Sequence, residues 1–193
     1  MPSWKTSVAS PAKPPEQGTA GWAAVRDRGA RLLLHSSNAT IVKGQELLTY
    51  SIDVKRLVRG KPLLKGTFSD PFVLRDEGDE LLALDHIQGG VFSPEGCLYV
   101  VNGYPEYAGG GIQLFDPVNK RRVARSTNGV GSFNFEFHPG KLDREEPEGI
   151  DYFSVDSLRV PGVRGELHTI LLDNDVAPGD PDDVSIKHYD VSP

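Results

Sequence analysis

The chain has 193 residues, 38% hydrophobic and 25% charged, which suits a soluble globular protein with room for one domain or two small ones. Its net charge of −6 excludes general nucleic-acid binding, which needs Lys and Arg clustered against phosphates. The single cysteine, Cys97, excludes an internal disulfide, and no run approaches the ~18 consecutive apolar residues of a membrane span.

In chain order, residues 1–19 read as a Pro-rich disordered leader. It lacks the apolar core of a secretory signal, and a cytoplasmic location is expected on that absence alone. Asn38-Ala39-Thr40 fits a glycosylation sequon, which matters only in a secreted chain. Short apolar runs then alternate with turn clusters: "GWAAVRD", "ARLLLHSS", "ELLTYSIDV", "FVLRD", "ELLALDH", "GGVFS", "CLYVVNG", "GIQLFDPV", "RRVARST", "FNFEFHP", "GIDYFSV", "GELHTILLDN" and "VSIKHYDV". Runs of about four to eight residues rich in Val, Ile, Leu, Phe and Tyr are the mark of many short strands. "DELLALDHI" alone competes as a helix, and it is too short to be stable by itself. The fold class is therefore all-β.

Two echoes divide the chain. "TYSIDV", "IQLFDPV" and "IKHYDVS" each alternate and then close on Asp53, Asp116 or Asp190, a residue whose side chain can bond the backbone two positions on and start a turn. "IQGGVFSPEG" and "PEGIDYFSVD" each place a polar residue and a glycine, Gln88-Gly89 and Glu148-Gly149, before an apolar strand. The expectation is one β-propeller-like domain over 20–193, with units at about 20–76, 85–138 and 146–193. Closed propellers have ~4–8 blades, so three units form an incomplete ring with exposed sheet edges. Three readings follow: a fragment or truncated product, a ring completed by dimerisation, or a β-sandwich or irregular barrel instead.

"GGVFSPEGCLYVVNG" followed by "GGIQLFDPV" resembles a blade of the six-bladed propellers of the gluconolactonase (senescence-marker) group. "EPEGIDY" resembles that group's Glu-Gly start to an innermost strand, and that of phytase-like and esterase-like propellers. The resemblance covers residues 86–193, about half the chain. It implies an axial divalent cation, usually calcium, held by oxygen ligands from several blades, polarising a lactone or ester and acidifying a bound water. Carried over, the ligands are Glu148, Gln88 and Asn102. Gln88 stands where the group commonly has Asn, and Asn102 where it commonly has Asp. Both changes weaken a cation site.

Glu148 is the candidate general base and His86 a candidate acid or base facing a central channel. Tyr104 and Tyr107, in "YPEYAGGGI", could form a stacking surface for a small-molecule ligand. Cys97 begins an apolar run and reads as a small buried hydrophobe. His35, His138, His168 and His188 lack metal spacing, and the last two read as sheet-face residues. "LLDNDVAPGDPDD" lacks the Gly and Glu that an EF-hand requires after Asp173, so it reads as a solvated turn. The leading function is thus a non-catalytic propeller or propeller fragment that binds a ligand or protein through its loop face or an exposed edge. Its partner is a second copy or another edge-pairing chain. The alternative is a calcium-dependent lactonase-, esterase- or phosphatase-like hydrolase.

Overall fold

The structure is a computed structural model that describes residues 22–27, 32–53, 64–66, 72–103, 110–125, 145–153, 165–173 and 183–191. Within them the chain is all-β, with no helix. A first sheet holds β1 (Trp22–Asp27), β2 (Leu32–Ser37), β3 (Glu46–Ile52), β4 (Leu64–Gly66) and β5 (Phe72–Val73), in the order β1-β2-β3-β4 with β5 also on β3. A second runs β6 (Ile87–Phe92), β7 (Leu98–Asn102), β8 (Gly111–Phe115) and β9 (Arg122–Arg125) in sequence order. The third is β10 (Glu145–Tyr152), β11 (Leu167–Asp173) and β12 (Asp183–Tyr189). Every strand pairing within the sheets is antiparallel.

The first strand of each sheet lies against that of the next, β1 on β6 and β6 on β10. The sheets thus stack in sequence as a propeller-like, incomplete fan. In β1, Trp22, Ala24 and Arg26 are buried while Ala23, Val25 and Asp27 are exposed, the period-2 pattern of a strand with one core face. β7, "LYVVN", is buried throughout because its sheet has a core on each side. Leu98 and Val100 join the first core with Trp22, Phe72, Phe92 and Phe115. Tyr99 and Val101 join the second with Ile112, Leu167, Leu171 and Tyr189.

Gly89-Gly90 make this double contact close. A Cβ on Gly90 would lie 2.5 Å from the Trp22 ring of the first sheet, and one on Gly89 would lie 3.2 Å from the Gly149 Cα of the third. Gly90→Ala is therefore expected to overpack the first core and destabilise by about 1–3 kcal/mol, read as a lower denaturant midpoint with an unchanged m-value.

The predicted hairpin at "SPEG" is present. Gly96 adopts φ +88°, its N–H donates to the Ser93 carbonyl at 2.9 Å, and Ser93 N–H donates to the Cys97 carbonyl at 2.9 Å. Asp116 closes β8 as expected, its carboxylate accepting the Val118 and Asn119 N–H groups at 2.7 Å. Two local expectations differ. "ELLALDH" forms only single bridges, Leu81 to Arg75 and Leu84 to Ile41, because it crosses from the first sheet to the second with Leu84 plugged into the first core. The short β4 was not anticipated, as "LKG" carries no alternation. The leader and the run "FNFEFHP" lie outside the described residues.

Candidate functional site

The echo at Gln88-Gly89 and Glu148-Gly149 is a repeated backbone device. β6 pairs Ile87 with Asn102 and Gly89 with Val101, leaving Gln88 as an extra residue. β10 pairs Pro147 with Leu171 and Gly149 with Ile170, leaving Glu148 as its counterpart. Both are β-bulges, which re-aim a side chain at a strand's end. The near contact of Gly89 with Gly149 sets the two bulges side by side on adjacent inner strands. Glu148 is exposed there and Gln88 half-buried.

His86 precedes the first bulge with φ +51°, unusual for a non-glycine residue. That inversion lets its carbonyl accept the Gly103 N–H at 2.7 Å. Its exposed imidazole Nε2 lies 3.8 Å from Asp85 Oδ2. The Thr40 hydroxyl, and after it the His86 amide, hold the Asp85 carboxyl below its usual range.

Asn102 is fully buried and enters a relay of side chains. Its Nδ2 donates to the Asp85 carbonyl at 3.0 Å, and its Oδ1 accepts from Gln113 Nε2 at 3.0 Å. Gln113 Oε1 accepts from Arg122 Nη1 at 2.8 Å. Arg122 closes the relay on Glu77 as a bidentate pair, Nε to Oε1 at 2.9 Å and Nη2 to Oε2 at 2.8 Å. The Arg122 guanidinium holds the Glu77 carboxyl below its usual range. A buried polar group is costly unless bonded, and here each member satisfies the next. Both ends of the Asn102 carboxamide are engaged in tying β7 to β8 and to the His86 turn.

Tyr99 sits in the second core and Cys97 packs against it. Burial raises the Cys97 thiol, and burial with the nearby Tyr152 pushes Tyr99 up to about 12. Neither ionises at neutral pH, so neither is an activated nucleophile.

His168 and His188 sit directly opposite each other across β11 and β12, with Asp151 of β10 opposite His168 on the other side. Their Nδ1 atoms are 2.5 Å apart, and His168 Nε2 lies 2.7 Å from the Phe153 carbonyl. The network assigns His168 Nε2–H as donor to that carbonyl and His168 Nδ1 as acceptor from His188 Nδ1–H. Burial, and then His168, lower the His188 pKa from 6.5. The unfolded chain therefore binds more protons in the window below 6.5, and this stability is full above 6.5 and lost as the pH falls below it. His188→Asn should narrow the wild-type difference in unfolding free energy between pH 7.5 and pH 5.5, measured by urea melts.

Of the predicted site residues, Gln88 and Glu148 each precede a glycine at which the two strands approach closely, and Asn102 lies in the relay. Tyr104, Tyr107, His138 and the loop acids Asp175, Asp180 and Asp182 lie outside the described residues. Among the described residues no three His, Cys, Asp or Glu side chains gather as a metal site. Sequence reasoning missed Gln113, Arg122 and Glu77, although a Gln on the buried side of "GIQLF" was the available signal. No family model matches the chain, and neither a curated protein nor a solved structure does.

Proposed function

We propose that this chain is a non-catalytic, propeller-like binding module that takes a protein partner on the outer face of its third sheet. One observation carries the reading. The face opposite the second core presents Ile170, Val184 and Ile186, exposed by 43%, 67% and 55%, with Phe153 at 47% beside them, stacked on His168. Ile170 and Ile186 are direct cross-strand partners, so the patch is contiguous. Single exposed apolar residues are ordinary, whereas contiguous ones on one sheet face mark an interaction surface. A photo-crosslinking amino acid at position 186 of the full chain, expressed in cells, is expected to give discrete protein adducts. The same probe at exposed Val118, on the Asp116 turn, should not. Equal labelling at both positions would sink the reading.

The paired bulges favour a second reading, a calcium-dependent hydrolase of the lactonase, esterase or phosphatase kind with Glu148 and Gln88 as ligands. Asn102 is engaged elsewhere, so the described donors supply one carboxylate, sparse charge for a hard cation. This reading requires calcium to raise the melting temperature and Glu148→Gln to abolish that rise.

A further inference from the structure

We infer that His168 and His188 form a two-imidazole site on the outer face of the third sheet, where a divalent transition ion of the zinc, nickel or copper class is held between their Nδ1 atoms. Such a site stands whether or not the apolar residues of that face take a protein. Antiparallel pairing puts cross-strand partners on one face, and alternation sends Leu167 and Leu171 into the second core. His168 and His188 therefore share the opposite, outer face. Their rings meet edge to face, centroids 4.8 Å apart and planes at 75°, with Nδ1 facing Nδ1.

His168 is fixed before any ion arrives. It is 5% exposed, its ring stacks on Phe153 with centroids 4.1 Å apart, and its Nε2–H donates to the Phe153 carbonyl at 2.7 Å. That bond places the neutral ring's one proton on Nε2 and leaves Nδ1 a bare lone pair. Metal-binding histidines are held in this way, by a backbone carbonyl or carboxylate on the far ring nitrogen. His188 is half-buried on β12, the last strand of its sheet, so an ion reaches the pair from solvent. Burial, and then His168, lower the His188 pKa, so protons compete little for it at neutral pH.

Within the pair, His188 Nδ1–H donates to His168 Nδ1. A bound ion takes the place of that proton, which moves to His188 Nε2, so no net proton is released. Metal–imidazole bonds are ~2.0–2.1 Å, so two nitrogens on one tetrahedral ion stand roughly 3.3 Å apart, and His188, the more exposed ring, swings out by about 1 Å to admit it. Nitrogen donors select the class of ion: imidazole suits zinc, nickel and copper, whereas calcium and magnesium take oxygen ligands. Asp151, exposed and in register with His168 on its other side, adds negative charge beside the site. Water fills the remaining coordination positions, so the site is open rather than structural.

Zinc and copper titrations of the full chain, free of any histidine tag, test this. Calorimetry should give one zinc ion per chain, and zinc at a hundredfold excess over its dissociation constant should raise the melting temperature by about 5 °C or more. His188→Asn should weaken zinc at least tenfold and remove the rise. His86→Asn and Glu148→Gln should each keep it, which separates this site from the paired bulges. Should His188→Asn misfold, copper bound to the wild-type chain decides the matter, because its paramagnetic resonance spectrum must carry hyperfine structure from two imidazole nitrogens. No rise with zinc, a rise that survives in folded His188→Asn or is lost in His86→Asn, or a copper spectrum without two nitrogens would overturn the inference. A calcium-induced rise lost in Glu148→Gln, beside an absent zinc response, would leave the hydrolase reading standing and remove this site.

Discussion

Gln113→Leu is expected to lower stability by about 2–5 kcal/mol, although leucine matches glutamine in bulk and sits in an apolar sheet. The substitution orphans two buried groups at once, the Asn102 Oδ1 that accepts from Gln113 Nε2 and the Arg122 Nη1 that donates to Gln113 Oε1. An unsatisfied buried polar group costs ~1–3 kcal/mol, and a charged one more. For a chain of this size that is a melting-temperature loss on the order of 10 °C. Gln113→Leu with Arg122→Met should recover part of the loss, since Arg122 Nη1 no longer wants a partner while Asn102 still does. Thermal melts of the single and double variants decide it. An unaffected single variant would mean that the relay contributes nothing, and Asn102 would again be available as a ligand.

Gly165→Ala is expected to cost about 3 kcal/mol or more, for a reason of backbone geometry. Gly165 adopts φ +94°, a region that L side chains rarely enter. A Cβ there would overlap the Tyr189 carbonyl and lie 2.7 Å from Asp190 N. Backbone of a paired strand cannot move aside without breaking the Glu166 N–H to Tyr189 carbonyl bond of 3.1 Å. Hydrogen exchange should show β11 and β12 losing protection before the first sheet. Gly78→Ala, whose Cβ would sit an ordinary 3.4 Å from Asp76 Oδ1, is the control and should stay near wild type. Equal effects at the two positions would refute the steric explanation.

Much of the fold was legible because strand formation here is a local matter. Period-2 alternation in "WAAVRD", a continuous apolar run in "CLYVV" and the turn chemistry of "SPEG" each act within a few residues. The segment "ELLALDH" was harder, since its leucines answer to a core built from other sheets rather than to a local ladder. The candidate site was half legible. The Gln-Gly and Glu-Gly echo marked two real bulges, because a bulge has a local signature of one extra residue next to a glycine. Gln113, Arg122 and Glu77 were missed because they lie far apart in the chain, Glu77 and Arg122 by 45 residues.

By itself the sequence determined the all-β class, the three-sheet division and the turn at Ser93–Gly96. These depend on periodicity, turn residues and composition, which need no knowledge of what lies opposite. Only the tertiary structure decided that Gly89 and Gly90 face different neighbours, that Asn102 is a buried strut, that His168 and His188 meet, and that the third sheet presents an apolar outer face. Each of those depends on register and on which sheet covers which, and the burial of a side chain is a property of its neighbours as much as of its own chemistry.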